Sequence, residues 1–316
     1  MKLLIHTIEG EAYYDQLSAI EGLEVVRALT PEDAAREVVD ADIMFGWPTS
    51  AMVLSAPKLK WVQFPSAGAD ALMRVPELVD ADIIVTNTRG AHAPSIAEHV
   101  FGLLLSMTRA IPSCVGWQKD HTWNRQDGYR LPREIMGSTM GIVGYGHIGR
   151  AVAKRATGFE MKVRAVDVAE GPGDGYVDEV WPVSRLSEML ATSDVVVIAA
   201  PYTKETRHLI GADAFAAMKN DAYLIAISRG GVVDEDALIA ALESGKLAGV
   251  GLDVAEVEPL DANSALWNFS NVLITPHLAG SSWQKEARCF EIFFDNVGRY
   301  MRGEELRNVV NKQAGY

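Results

Sequence analysis

The chain has 316 residues, of which 48% are hydrophobic and 22% are charged. This length accommodates two domains with substantial cores, and this composition excludes intrinsically disordered and fibrous proteins. The formal net charge of −13 argues against a nucleic-acid partner, because neutralising phosphates requires clustered Lys and Arg residues that the sequence lacks.

Short apolar runs alternate with helical patterns in the first hundred residues. The predicted strands are residues 2–6, 23–27, 42–45, 61–64 and 82–86. This alternation predicts an α/β layer with a parallel sheet. A single long helix is predicted next, over residues 95–117, because Ile96, Val100, Leu103 and Met107 recur at helical spacing.

The two cysteines and the lengths of the apolar runs indicate in which cellular compartment the protein is expected. Cys114 and Cys289 lie in helix-like apolar segments without the spacing of metal ligands, which predicts buried free thiols and no metal site. The apolar run at the N-terminus is too short for a signal peptide or a membrane anchor, and no later run reaches about 18 residues. We therefore expect a cytoplasmic protein with no membrane partner.

A glycine-rich turn lies in the middle of the chain, between a predicted strand and a predicted helix. Apolar residues 140–143 lead into Gly144-Tyr145-Gly146-His147-Ile148-Gly149, and a helical run is followed by a second strand that ends on Asp167. The three glycines permit a tight turn, close approach to a pyrophosphate, and close packing of helix on strand. An acid about 20 residues further on suits the hydroxyls of an adenosine ribose. The stretch predicts a dinucleotide-binding unit.

The remaining strands are predicted at residues 195–200, 223–227, 248–252 and 272–274, with helices near 187–190, 212–218, 235–242 and 282–301. Residues 171–175 are predicted to be a surface loop because of their glycine and proline content. Ligands of open α/β sheets bind outside the carboxyl ends of the strands. Three such ends carry reactive groups, namely Arg229, His277, and Asp253 with Glu256 and Glu258.

These residue types suit the reduction of a keto acid. An arginine fork can hold a carboxylate, a histidine can exchange a proton near neutral pH, and a carboxylate beside the histidine can orient it. From the residues alone, Glu256 and Glu258 both remain candidates for that carboxylate.

In these residues the chain resembles the D-isomer-specific 2-hydroxyacid dehydrogenase family over essentially its whole length. The matching pieces are Pro65-Ser66-Ala67-Gly68-Ala69-Asp70, residues 87–90 with the helix that follows, the glycine turn, residues 201–210, Ser228-Arg229-Gly230-Gly231, Asp253, Glu258-Pro259 and Pro276-His277. Formate dehydrogenases of the superfamily carry glutamine where this chain has Glu258, which argues against that activity.

The resemblance implies two doubly wound parallel-sheet domains with a cleft between them. Residues 99–282 would form a Rossmann domain that binds NAD, and residues 1–98 and 283–316 a flavodoxin-like domain that binds substrate. Arg229 would bind the substrate carboxylate and carbonyl oxygen, His277 would act as the acid, and Glu258 would pair with His277. Backbone amides of Ser66, Ala67 and Gly68 would bind the carboxylate.

The resemblance also implies a set of cofactor contacts, with Asp253 on the nicotinamide carboxamide. Asp167 is not followed by a Lys or Arg that could receive a 2′-phosphate, so NAD is predicted rather than NADP. The predicted cofactor-binding residues are Gly144, Gly146, His147, Ile148, Gly149, Asp167, Ala200, Pro201, Thr206, Ile227, Ser228, Arg229, Asp253, His277 and Gly280.

Substrate identity and assembly are less constrained by the sequence. Trp47 and Trp283 are candidates for the substrate pocket, where they would favour a small or flat 2-keto acid. Packing in a core or between domains is the alternative for both. The other histidines, including His99 and His208, are interpreted as structural or surface groups. The family forms homodimers, and a nucleotide-sensing protein or a methyltransferase are the competing functions; neither competitor explains the three reactive residues.

Overall fold

The structure is a computed structural model that describes residues 1–7, 13–69, 71–128 and 131–315. The chain forms two compact units, of which unit 1 comprises Met1–His92 and Ser282–Tyr316 and unit 2 comprises Ala93–Ser281. Asp70 of the first matching motif lies outside the described residues.

Unit 1 contains a five-stranded sheet in which all pairs are parallel and the strand order is β2-β1-β3-β4-β5. This is the flavodoxin-like order of a doubly wound sheet. The strands are β1 (Lys2–His6), β2 (Glu24–Arg27), β3 (Ile43–Gly46), β4 (Trp61–Gln63) and β5 (Ile84–Thr86). The helices are α1 (Tyr14–Ser18), α2 (Pro31–Glu37), α3 (Ser50–Ser55), α4 (Ala71–Arg74), α5 (Glu77–Asp80) and α13 (Trp283–Met301), with a 3-10 turn at Val38–Asp40.

The core of unit 1 lies on both faces of this sheet. Consecutive residues of β1 are fully buried and belong to two different clusters, Leu4 on one face and Leu3 and Ile5 on the other. Helix α13 covers the second face, where the Phe293 ring stacks on Phe45 with centroids 4.2 Å apart. Burial on both faces is why β1 consists of consecutive apolar residues rather than alternating ones.

Unit 2 contains an eight-stranded sheet in the order β13-β12-β11-β10-β6-β7-β9-β8, parallel except for the β8–β9 pair at one edge. The strands are β6 (Thr139–Val143), β7 (Lys162–Val166), β8 (Gly171–Pro172), β9 (Glu179–Trp181), β10 (Val195–Ile198), β11 (Ala222–Ala226), β12 (Leu247–Leu252) and β13 (Val272–Ile274). The helices are α6 (Ala93–Thr108), α7 (Ile111–Lys119), α8 (Arg125–Gly128), α9 (His147–Gly158), α10 (Leu186–Thr192), α11 (Ala212–Ala217) and α12 (Glu235–Glu243), with 3-10 turns at Val183–Arg185 and Ala265–Asn268.

Helices cover both faces of the larger sheet. In β10, Val196 and Ile198 belong to the cluster that includes residues of α11 and α12, whereas Val195 and Val197 belong to the cluster that includes residues of α6 and α9. The predicted α/β class with two parallel sheets is therefore confirmed. The strand order around β6 is that of the nucleotide-binding fold, whose switch point lies between β6 and β10.

Three local predictions were wrong. The single helix over 95–117 is two helices, α6 and α7, which meet at a left-handed residue, Ala110 (φ 55°). Cys114 is exposed on α7 rather than buried. The predicted loop 171–175 contains β8, which pairs with a strand, β9, that the sequence did not indicate.

Among the described residues no single helix could cross a membrane by length and composition, although α6 and α7 together, bent by 66°, would pass that test.

Candidate active site

The glycine turn joins β6 to α9 as the sequence predicts. A Cβ on Gly144 would lie 2.5 Å from the Ala200 nitrogen, and one on Gly149 would lie 2.3 Å from the Gly144 oxygen, so both positions require glycine. Gly144 also has a positive φ of 94°. Around Gly146, by contrast, a Cβ would meet no atom of the described chain within 4 Å. This open space beside the first amides of α9 fits the pyrophosphate of a dinucleotide.

Asp167 directly follows β7 and lies beside the glycine turn. Its carboxylate accepts hydrogen bonds from the backbone amides of Tyr145 (2.5 Å) and Ala169 (2.9 Å). The side chain is thereby fixed at the carboxyl end of the strand that neighbours β6, where the ribose of a dinucleotide is held in this fold.

Arg229 lies in the turn that follows β11. Its Nη1 donates to the Ser228 carbonyl oxygen at 2.7 Å, and the residue is half-buried. The turn packs so tightly on the next loop that a Cβ on Gly230 would lie 1.7 Å from the Ala255 oxygen. The Ser228 hydroxyl is buried and has no hydrogen-bond partner among the described residues. A buried hydroxyl without a partner is unfavourable, which fits a site completed by a bound cofactor.

Glu258 and His277 follow β12 and β13 and form a close pair. Glu258 Oε2 lies 2.7 Å from His277 Nδ1, while Glu258 Oε1 accepts from the Ala255 amide at 3.2 Å. The two side chains remain 39% and 46% exposed, so small molecules can reach them. Because Nδ1 is engaged by the carboxylate, Nε2 is the nitrogen available for proton transfer to a ligand.

The backbone of His277 is held in an unfavourable conformation. Its φ of 51° is left-handed, a region that residues with a side chain rarely adopt. The His277 amide bonds to the carbonyl oxygens of Asp253 (2.9 Å) and Thr275 (3.0 Å), which fixes this geometry. Residues held in such conformations by their surroundings cluster at functional sites.

Asp253 is the centre of the structure behind His277. Only 1% of its side chain is exposed, and it accepts from the Thr275 hydroxyl (2.6 Å) and from the amides of Leu278 (3.0 Å) and Ala279 (2.9 Å). His99 Nε2 lies 2.8 Å from the Thr275 hydroxyl and 3.5 Å from Asp253. The carboxylate therefore organises the loop that carries His277, a role that the sequence did not suggest.

Glu256, the other candidate partner of the histidine, is engaged elsewhere. Its Oε1 lies 2.8 Å from His208 Nε2, and Asp234 lies 3.5 Å from the other ring nitrogen of His208. The His208 amide in turn donates to the Gly231 oxygen at 2.7 Å. His208 thus ties the turn that carries Arg229 to the loop that carries Glu258. Of the two glutamates, Glu258 is the one that contacts His277.

In unit 1 the predicted carboxylate-binding loop follows β4. Each carbonyl of its three residues is occupied, since Ser66 oxygen accepts from the Thr88 amide, Ala67 oxygen from the Asn87 side chain, and Gly68 oxygen from the Ser66 hydroxyl. Fixing the carbonyl groups orients the peptide planes of the loop and hence its amides. The contacts by which Asn87 and Thr88 hold this loop were not predicted from the sequence.

The two predicted tryptophans also lie in unit 1. Trp47 stacks on Phe64 with centroids 5.5 Å apart and lines a cavity with Thr49, Arg74 and Val75. Trp283 begins α13 and is 95% exposed, so it is not a core residue of unit 1. The described structure thus brings Arg229, Glu258, His277 and the glycine turn to strand ends of unit 2, and places Trp47, Trp283 and the Ser66 loop in unit 1.

Comparisons with known proteins identify relatives of the chain. The model of the D-isomer specific 2-hydroxyacid dehydrogenase NAD binding domain matches residues 101–279. The chain is 36% identical to the glyoxylate reductase of Thermofilum pendens over 300 residues, which covers 92% of this chain and 85% of that protein.

Two solved structures are similar over nearly the whole chain. A D-isomer specific 2-hydroxyacid dehydrogenase from Xanthobacter autotrophicus, in complex with NADPH and MES, is 31% identical with a TM-score of 0.84, covering 99% of this chain and 100% of that one. The D-lactate dehydrogenase of Aquifex aeolicus, complexed with NAD and lactic acid, is 28% identical with a TM-score of 0.77, covering 96% of each chain.

Proposed function

Because the chain belongs to the D-isomer specific 2-hydroxyacid dehydrogenase family, we propose that it reduces a small 2-keto acid to the D-2-hydroxy acid with Arg229, Glu258 and His277 as its reactive groups. As a family member it is an oxidoreductase that uses a nicotinamide cofactor. The observation that carries the assignment of residues is the 2.7 Å pair of His277 and Glu258 at strand ends of the sheet that presents the glycine turn.

The chemistry follows from the groups present. When bound, the reduced nicotinamide supplies the hydride. Arg229 binds the substrate carboxylate and polarises the carbonyl oxygen, and His277 Nε2 donates the proton that this oxygen needs as it becomes a hydroxyl. Glu258 holds the imidazole through Nδ1 and so fixes its orientation. Proton donation of this kind contributes roughly 10²–10⁴ in rate.

The residues that would hold the cofactor fall into three places in unit 2. The amides at the start of α9, beside Gly146, would bind the pyrophosphate, and Asp167 would bind the ribose. The Ser228 hydroxyl lies near the reactive residues as a polar group that a ligand can satisfy. For unit 1, we propose that the oriented amides of the Ser66–Gly68 loop bind the carboxylate.

A direct assay tests the proposal. The purified protein is mixed with NADH and with glyoxylate, hydroxypyruvate or pyruvate, and the loss of NADH absorbance is followed, with the product resolved on a chiral column. We expect turnover of at least one of these acids and a D-configured product where the product is chiral. No turnover with any 2-keto acid, or an L-configured product, would refute the proposal.

We also propose that NADH is preferred to NADPH. Asp167 presents a carboxylate where the extra phosphate would lie, and like charges disfavour binding. The expected kcat/KM with NADPH is at least about tenfold lower, which corresponds to ~1.4 kcal/mol. A preference for NADPH would contradict this role of Asp167.

Finally, we propose that two copies associate through α7. Among the described residues this helix contributes none to a core, and Ile111 and Val115 are 47% and 43% exposed. Trp123, shortly after it, is 95% exposed. Exposed apolar residues grouped in this way mark contact surfaces. Light scattering should give the mass of a dimer, and Val115→Glu should shift it towards the monomer; a wild-type monomer would contradict the proposal.

A further inference from the structure

A hairpin that follows Asp167 folds back onto the glycine turn. The Gly173 amide donates to the Asp178 oxygen at 3.0 Å, and a Cβ on Gly173 would lie 1.7 Å from the Val177 oxygen, so only glycine fits this closure. The closure positions Asp174, whose side chain is 24% exposed, against residues of the glycine turn and α9.

Asp174 engages three donors in this position. Its Oδ1 accepts from the Tyr145 hydroxyl (3.0 Å) and the Tyr176 amide (3.2 Å), and its Oδ2 accepts from Arg150 Nη1 (2.5 Å). Burial would raise the pKa of Asp174, but the hydrogen bonds from Tyr176, Tyr145 and Arg150 outweigh it and lower that pKa, so the group is a carboxylate at neutral pH. The Arg150 guanidinium is thus held by an ionised partner.

Tyr145 connects this ion pair to the predicted ribose site. The Arg150 guanidinium carbon lies 4.9 Å from the centroid of the Tyr145 ring, and the Tyr145 amide donates to Asp167 Oδ2 at 2.5 Å. One residue therefore supports the arginine with its ring and holds Asp167 with its backbone. Arg150 and the predicted ribose-binding carboxylate of Asp167 therefore both contact Tyr145.

An arginine in this place could bind a 2′-phosphate and would then weaken a preference for NAD over NADP. A guanidinium binds phosphate through paired hydrogen bonds, and half of the Arg150 side chain is exposed and so able to turn. Its bond to Asp174 engages Nη1 and points it at a carboxylate of its own chain. A phosphate would therefore compete with that carboxylate for the arginine.

We propose that Asp174 is a second cofactor-specificity residue, which sequesters Arg150 from the 2′-phosphate and thereby strengthens the preference for NAD. This inference rests on the proposed function, since it assumes the ribose lies beside Asp167. Asp167 acts on the phosphate directly by charge repulsion, whereas Asp174 acts by binding Arg150, the cation that would otherwise attract the phosphate. The two effects are separable because only the second depends on Arg150.

The test is a double-mutant cycle read out by binding. Dissociation constants for NADH and NADPH are measured by titration of the protein fluorescence for wild type, Asp174→Asn, Arg150→Met and the double variant. Asparagine keeps an oxygen for Tyr145 and Tyr176 but cannot hold Arg150 as an ion pair. We expect Asp174→Asn to tighten NADPH binding about tenfold, with NADH within twofold, and the gain to vanish when Arg150→Met is added.

Asp178→Asn is the matched control, because it removes one negative charge from the same exposed hairpin and has no side-chain contact with Arg150 among those described. It should leave both dissociation constants within twofold. Unchanged NADPH affinity in folded Asp174→Asn, or a gain that persists without Arg150, would overturn the inference. A wild type that binds neither cofactor would instead overturn the proposed function, so the two failures are distinguishable.

Discussion

Replacing Gly230 with alanine should disable the site without touching any reactive side chain. The added Cβ would lie 1.7 Å from the Ala255 oxygen and 2.2 Å from its carbonyl carbon, whereas real Cβ contacts stay beyond 3.0 Å. The turn that carries Arg229 and the loop of residues 253–259 must therefore separate by about 1.3 Å. Since the Ala255 amide holds Glu258 and Arg229 adjoins Gly230, this movement separates the residues that must act together.

The expected cost follows from this displacement. A misplacement of about 1 Å in an active site can reduce the rate roughly 10²-fold, and overpacking typically costs about 1–3 kcal/mol of stability. We expect Gly230→Ala to lower kcat with NADH and a 2-keto acid by about 10²-fold while the protein remains folded by circular dichroism. Gly102→Ala is the control, because a Cβ there meets nothing within 4 Å. A Gly230→Ala kcat within threefold of the wild type would refute the reasoning.

Three further changes have defined outcomes. His277→Gln should lower kcat by about 10²–10⁴ and leave the NADH dissociation constant unchanged, so a parallel loss of NADH binding would contradict a purely catalytic role. Asp253→Asn places an amide N–H against the amide of Ala279, which should cost about 1–3 kcal/mol and lower Tm by several degrees in a thermal melt; an unchanged Tm would contradict the role given to this carboxylate. Burial alone would raise the pKa of Asp194, but its hydrogen bonds, first that from Lys219, lower it below the usual value. The stability that the ionised Asp194 provides is present above the unfolded pKa of ~3.9 and is lost as the pH falls through the lower folded value. In Asp194→Asn the Tm should therefore fall less steeply with pH in that acid range than in the wild type. The same dependence of Tm on pH in both proteins would contradict this contribution.

The strands were predictable because each is a short apolar run between turn signals. Residues 272–274 were predicted and form β13, and the prediction for β1 coincides with the observed strand. The break between α6 and α7 was missed because apolar residues continue at helical spacing across it. Pro112 lies in the first turn of α7, and a proline inside a helical pattern is a signal that a helix ends before it.

The reactive residues were also accessible from the sequence, since each follows a predicted strand. Their supporting partners were not. His99 reaches Thr275 across 176 positions, and His208 reaches Glu256 across 48. Such pairs depend on which helices and loops meet after folding, and no local pattern records that. The groups proposed to act were therefore predictable from the sequence, whereas the groups that hold them become visible only in the folded chain.

The helix α13 has a consequence for how the chain folds as it is synthesised. Unit 2 ends at Ser281 and α13 begins at Trp283, so the ribosome releases every residue of unit 2 before the first residue of α13. Until then the sheet of unit 1 lacks Phe293 and Val297, which are fully buried in its core, and Asn296, which bonds to Gln63 inside it. Since domains fold as units during synthesis, unit 2 can complete its fold while the first 92 residues still await their last helix.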